Sequence, residues 1–488
     1  MWDSRSLCIN EGGLDVANGD QPICLTGSPA HKARIGDIAS KLQQLGFQVN
    51  YDPPHTFKRW DVNCDGVSLS IEGVGRVDVS SAFPYSGKTS ATGVTAPLRL
   101  VHPVRKNWSN AGNAIAVIEV LDTSLPFDLV FTPWENLPAE SVRRPIISAY
   151  AFTPDLDKAR EAGVLGVICL WGPKVSSKIA AGQYLPFWQD YHDLPAVWVS
   201  GDVREKVLQA AKDGRDATLV LNAARTKGDT QTIWVSCDGE TDAETVLVIT
   251  HTDGTNEIEE NGYLALLDMA AKAKSRKNRR KFIYVFVTGH FRIPAVSVKQ
   301  NIKMRMPLLP KRKEATDAWL KAHPELWDGK DGHARAAAGL VIEHLGALEV
   351  DGDGTPTGLI EPEIVYATTA QLFQKAKATW HERSAGRRHF VAPHPLIHLG
   401  EGEPLYQNDI PAIALVPGPQ YLVVLGSDKL TDDRLLEAQL LTFDRLQTEL
   451  DGMSGEEIGR IRKPSAIKKV WTILRFIKAY LDAILGRT

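Results

Sequence analysis

The chain has 488 residues, 43% of them hydrophobic and 24% charged, with a formal net charge of −3. That length holds about two or three domains with a sizeable core, and the near-neutral balance excludes a basic nucleic-acid footprint over the whole surface. The opening MWDSRSLCINEGG lacks the apolar core of a signal peptide, and no uninterrupted apolar run is long enough to span a bilayer. Five cysteines, Cys8, Cys24, Cys64, Cys169 and Cys237, are scattered without metal-ligand or redox spacing, so the chain reads as cytoplasmic.

Residues 22 to 60 open as an α/β unit. Thr26-Gly27-Ser28-Pro29 is a turn and a helix start, with Pro29 suited to the first turn. Ile35, Ile38, Ala39, Leu42 and Leu45 recur at helical spacing, Gly46 ends the helix, and Phe47, Val49 and Tyr51 alternate as a strand. Short alternating strands follow up to residue 100, which closes the first domain segment. From 101 to 225 the texture is that of a separate small α/β unit. Its buried strands are AIAVIEV, VLGVICLW and LPAVWVS, and its helix runs from Val203 to Lys212. Cys169 lies in the second of these runs and reads as a core residue. The aromatic stretch from Gln183 to Asp193 reads as a packed surface loop or the rim of a pocket.

Residues 226 to 453 resume alternating strand and helix. Val246 to Ile249 is a strand covered on both faces, and His251 and Asp253 stand at its carboxyl end, where open α/β sheets place ligands. The loop after it carries Glu257, Glu259 and Glu260 ahead of a helix from Gly262 to Lys274. That helix ends in KAKSRKNRRK, which reads as a solvated cationic end. Phe282 to Val287 is a strand delivering His290, and Gly339 to Ile342 one delivering Glu343 and His344. Asn301 to Gly332 reads as a basic insertion with a mobile tip. His389, His394 and His398, with Glu401 and Glu403, read as a loop bordering the same pocket. Ala412 to Val416 is a further strand, and Leu435 to Leu450 an amphipathic helix. The tail from 454 to 488 carries a basic amphipathic helix with Ile467, Val470, Trp471, Leu474, Ile477, Leu481 and Leu485 on one stripe. Docking on its own domain or on a second subunit is favoured over a membrane surface.

His251 with Asp253, His290, and Glu343 with His344 therefore end three neighbouring strands and point to one shared crevice. The segments around them resemble the co-catalytic zinc aminopeptidases of the glutamate carboxypeptidase and transferrin receptor type, with an inserted protease-associated domain. Residues 26 to 51 are similar to that family's opening turn, helix and strand, and residues 112 to 221 to the protease-associated domain. Residues 246 to 270, KFIYVFVTGH and AAAGLVIEHLG are similar to the strands that end in the family's metal ligands. The resemblance implies a mixed-sheet α/β/α sandwich, a peptide or small-molecule substrate, and room for a homodimer. It implies His251 as a zinc ligand, Asp253 as its supporting carboxylate and Glu343 as a ligand in place of an aspartate. The pattern also departs from the family. Ile258 stands where it has a bridging aspartate, Gly289 and His290 stand where it has paired glutamates, and its last histidine ligand aligns near Val424, ahead of Asp428.

The residues left are sufficient for one zinc ion. His251, His290, Glu343, His344 and Glu260 are the candidate ligands, and Glu259, Glu260, Asp253 and His290 the candidate catalytic groups. Three readings follow: a hydrolase of an amide, peptide or ester with a single altered metal site; a metal-free lyase, isomerase or cyclase in the same pocket; or an inactive interaction protein.

Overall fold

The computed structural model describes residues 23–135, 141–142, 145–292, 315–380, 387–426 and 430–485, without the side chains of 63–65 and 141. Two large sheets organise it. The first has nine strands. In spatial order they are Asn50–Tyr51, Ile233–Cys237, Arg280–Val287, Thr241–His251, Arg335–Ile342, Ala412–Leu415, Glu363–Ala367, Arg388–Ala392 and Thr132–Pro133. The four central strands from Arg280–Val287 to Ala412–Leu415 are mutually parallel, while Ile233–Cys237 and Glu363–Ala367 flank them antiparallel. The sheet is therefore mixed.

Alternation along the central strands decides what covers each face. Val246, Val248, Phe282, Tyr284, Leu340 and Ile342 point to one side, where helices Pro29–Gln44, Tyr263–Lys274, Ala370–Thr379 and Asp433–Gly452 bury them. Leu247, Ile249, Ile283, Val285 and Val341 point to the other, against Trp319 and Leu320 of the helix Ala315–Ala322. Burial on both faces is why these strands read as unbroken apolar runs. The helix start at Ser28 is as expected: its hydroxyl accepts the His31 N–H at 3.0 Å, with Pro29 in the first turn.

The second sheet has eight strands, in the order Gly75–Val77, His55–Ile71, Asp216–Thr230, Val94–Val101, Ile115–Val120, Gly166–Trp171, Ala196–Val199 and Val79–Ala82. Its two longest strands form an antiparallel ribbon from Ala217 opposite Ile71 to Thr230 opposite His55. The ribbon joins the first sheet between the paired strands Asn50–Tyr51 and Ile233–Cys237. The strands between 55 and 101 thus belong to the second sheet, not to the first domain segment drawn at 1–100. Their short alternating pattern gives the period of a strand but not the sheet it joins. Cys169 lies in the core of this sheet.

Two further expectations are corrected. The basic run after the helix Tyr263–Lys274 does not stay in solvent throughout. Arg280 is buried, and its guanidinium donates to the carbonyls of Leu450, Asp451 and Met453, each at 2.7 Å, and to Glu244 at 2.9 Å. It caps the orphan carbonyls at the end of the helix Asp433–Gly452. Of the expected insertion, residues 315 to 332 pack against the sheet through Trp319, and residues 301 to 314 lie outside those described. No helix among the described residues is long and apolar enough to cross a membrane.

Candidate metal centre

The carboxyl ends of three adjacent parallel strands meet here. His251 ends one, His290 follows its neighbour Arg280–Val287, and Glu343 and His344 follow Arg335–Ile342. The short helix Glu257–Glu260, capped by the Asn256 side chain on the Glu259 N–H, brings in Glu259. All five side chains are buried.

Each imidazole is fixed by one nitrogen. His251 Nδ1 bonds the Asp253 carbonyl at 2.8 Å, and His344 Nδ1 bonds the Pro417 carbonyl at 2.7 Å. A carbonyl only accepts, so both Nδ1 atoms carry the proton and both Nε2 atoms offer lone pairs. Those lone pairs, with Glu343 Oε2 and Glu259 Oε2, have no hydrogen-bond partner in the described structure. They converge: Glu343 Oε2 is 3.8 Å from His251 Nε2 and 3.8 Å from His344 Nε2. Glu259 Oε1 is 3.7 Å from His344 Nε2. These separations are too long for hydrogen bonds. Leaving four buried polar atoms without partners is costly unless something else satisfies them.

Two overlapping groups can each hold a metal ion: His251 with Glu343 and His344, and His251 with Glu259 and His290. The first consists entirely of residues with unpartnered donor atoms. In the second, both nitrogens of His290 already face carboxylates, Glu401 at 3.1 Å and Glu259 at 3.3 Å. His290 also stacks on His251, with ring centroids 4.1 Å apart. Imidazole and carboxylate donors in this number suit zinc and its neighbours better than calcium or magnesium.

His344 reaches the site through an unusual backbone. Its φ is +56°, in the left-handed region. Consecutive side chains of an extended strand point to opposite faces, and this turn lets Glu343 and His344 face the same centre. Gly400 seals the other side, with φ +74°. A Cβ there would lie 2.5 Å from Glu343 Oε1, the oxygen that accepts the Glu401 N–H at 2.7 Å.

Electrostatics follow from burial and neighbours. Burial would raise the Glu259 carboxyl, but His290 and His344 outweigh it and hold the group well below the usual carboxylate range. Burial lowers His251, with His290 and His344 adding to the effect. His344 is raised, because Glu259, Glu343 and the Pro417 carbonyl outweigh its burial. Glu401 is held at about 2 against burial by His290 and the backbone of Thr316. Its carboxylate sits at the N-terminus of the helix Ala315–Ala322, accepting the Thr316 N–H at 2.8 Å.

The structure redistributes the candidate residues. His251, His290, Glu343, His344 and Glu259 come together. Glu260 does not join them. It turns away to Arg34 at 3.0 Å and interacts with Cys24, and burial pushes its carboxyl up to about 7. Successive residues of one helical turn point about 100° apart, which the loop reading of 254–261 missed. Asp253 takes no proton-transfer position. Its carboxylate accepts the N–H groups of His290 and Phe291, both at 3.2 Å, and the Thr26 hydroxyl. It is the Asp253 carbonyl, not the carboxylate, that orients His251.

Among the histidines of the 388–403 segment, His389 lies on a strand, not a loop, and stacks edge-on with Phe127. His394 accepts the backbone N–H groups of Leu396 and Ile397, and His398 stacks on Tyr366. Asp428 lies outside the described residues. Glu401, read only as a pocket acid, is the partner of His290. No spacing in the sequence marks it.

The centre opens into a cavity of about 490 Å³ lined by Glu259, His290, Glu343 and His344 at one end. Beyond them the walls are mostly apolar, from Phe127, Phe131, Ile146, Ile397, Leu422 and Phe476. Phe187, from the aromatic 183–193 stretch, is buried and forms part of the wall. This size suits a small organic ligand.

No family model matches the sequence, and no curated protein matches it. Solved structures do. A peptidase M28 precursor from Shewanella amazonensis superposes with a TM-score of 0.59 at 15% identity, covering 91% of this chain and 93% of that one. A zinc aminopeptidase from Bacillus subtilis gives 0.54 at 14% identity, with 87% and 91% covered. An aminopeptidase from Aneurinibacillus sp. strain AM-1 gives 0.53 at 14%, with 88% and 90% covered. The fold is that of the zinc aminopeptidases, over nearly the full length of the chain.

Proposed function

We propose that this chain is a metal-dependent hydrolase of a peptide, amide or ester bond, with one zinc ion held by His251, Glu343 and His344. The observation that carries the reading is the convergence of unpartnered, buried donor atoms on His251, His344, Glu343 and Glu259. A zinc ion bound there supplies Lewis acidity and a water of lowered pKa. Glu259 reaches the same centre and keeps one buried oxygen without a partner, so its position makes it the proton acceptor for an attacking water. His290 holds that carboxylate in place and is itself held by Glu401. Asp253 fixes the backbone that delivers His290. The apolar walls exclude water and take the apolar part of a substrate on one side of the scissile bond. The zinc-aminopeptidase fold of the solved neighbours supports the peptide and amide classes. The second sheet, residues 55 to 230, is on this reading the counterpart of the protease-associated domain.

Elemental analysis of the purified chain tests it, beside a His251→Ala/Glu343→Ala double variant and a Glu259→Gln variant. The expected result is about one equivalent of zinc in the chain, none in the double variant, and retained zinc without turnover in Glu259→Gln. A folded chain that takes up no zinc in any form overturns the reading.

A further inference from the structure

The C-terminal helix Ala466–Ile484 presents two apolar faces. The inner one seats Thr472, Phe476 and Ala483 on the protein, and Tyr480 stacks on Phe152 with centroids 5.2 Å apart. Arg475 pairs with Asp128 at 2.8 Å. The stripe read from the sequence as the docking face is instead the outer one: Ile467 is 71% exposed, Trp471 64%, Val470 54% and Leu474 51%. Leu481 and Leu485 continue it at 50% and 59%. Soluble surfaces seldom gather this many large apolar side chains on one face.

Charge distinguishes the occupants. Between residues 460 and 485 the chain has seven Lys and Arg against one acid, Asp482, although the whole chain is net negative. Arg460, Arg462, Lys463, Lys468 and Lys469 are all exposed around the start of the helix, and Lys478 lies within the apolar stripe. A second copy would bring the same cationic segment against this one. An anionic lipid surface matches both the apolar stripe and the charge, with Trp471 at the depth where indole rings settle. We infer that this helix docks the protein on an anionic membrane surface, lying in the interface without crossing it. The inner face of the helix also contributes Phe476 and Tyr480 to the cavity wall, so a docked helix holds the cavity beside the lipid. The inference stands on the exposed face and its charge, independently of the metal centre.

Sedimentation of the full chain with vesicles tests it. The vesicles are phosphatidylcholine alone, or phosphatidylcholine with about one-third phosphatidylserine. The expected result is binding roughly ten-fold or more tighter to the mixed vesicles, weakened at about 0.5 M salt. Trp471→Glu/Leu474→Glu and Lys468→Glu/Lys469→Glu variants each lose that binding while their melting temperatures stay at the parent value, because these side chains are exposed. Equal binding to both vesicle types, or unchanged binding by the variants, overturns the inference. So does a stable dimer in light scattering that Trp471→Glu/Leu474→Glu converts to monomer.

Discussion

Replacing Gly400 with alanine places a methyl group 2.5 Å from Glu343 Oε1 and 2.7 Å from Oε2. To reach ordinary contact at 3.4 Å the carboxylate must retreat by about 0.9 Å. That shift breaks the 2.7 Å bond from the Glu401 N–H, a charge-assisted contact worth about 1.5–3 kcal/mol. It also displaces Oε2 from its present position 3.8 Å from His251 and His344. The left-handed backbone adds about 1–2 kcal/mol for any residue with a Cβ. Gly358 separates the two effects: its φ is +75° and nothing lies within 4 Å of its added Cβ. Gly358→Ala is therefore expected to lose only the backbone cost and to bind zinc as the parent does. Gly400→Ala is expected to lose roughly ten- to a hundred-fold in zinc affinity, the range for disturbing a ligand's supporting contacts. Competition against a chromophoric chelator measures the affinity, and calorimetry the melting temperature. If Gly400→Ala binds zinc as tightly as Gly358→Ala, Glu343 is not a ligand and the assignment fails.

Falling pH is expected to destabilise the fold through its buried histidines, opposed in part by Glu260, whose raised carboxyl takes up a proton in the fold. Burial lowers His31, His394 and His398 to about 4 each. A histidine with a lowered folded pKa stays neutral in the fold and charges on unfolding, so its contribution is complete above about pH 6.5 and is lost as pH falls towards 4. At pH 5 each costs about 2 kcal/mol at most. Urea unfolding at pH 7.5 and pH 5 measures the loss, and His398→Gln should shrink it; an unchanged loss in that variant contradicts the assignment. Arg280→Met is expected to cost about 3–5 kcal/mol, because three helix-end carbonyls lose their donor together and Glu244 is left with Arg335. Lys277→Ala, an exposed position of the same basic run, should stay within about 0.5 kcal/mol of the parent in the same unfolding assay.

The parts of the fold legible in the sequence are those that physics writes locally. Runs such as Val246 to Ile249 and Phe282 to Val287 announce strands covered on both faces, and the polar residues just beyond them announce a crevice. What the sequence left unwritten depends on direction and on distant partners. Glu260 adjoins Glu259 but points to Arg34, and Glu401 meets His290 across 111 positions. The strands Glu363–Ala367 and Arg388–Ala392 are too short and too weakly flanked to stand out from loop. The apolar stripe of the last helix was visible, but its spacing alone does not say whether it faces protein or solvent.

On the proposed zinc assignment, the left-handed turn at His344 would make two neighbouring residues into a single two-toothed chelate. Once Glu343 holds an ion, His344 meets it at a high effective concentration, with almost no loop left to close. The reverse also holds. If the His344 backbone took the extended form, the imidazole would leave the centre, its bond to the Pro417 carbonyl would break, and the chelate would lose one tooth. Retention of the ion and the conformation of that one residue would then be coupled, each favouring the other.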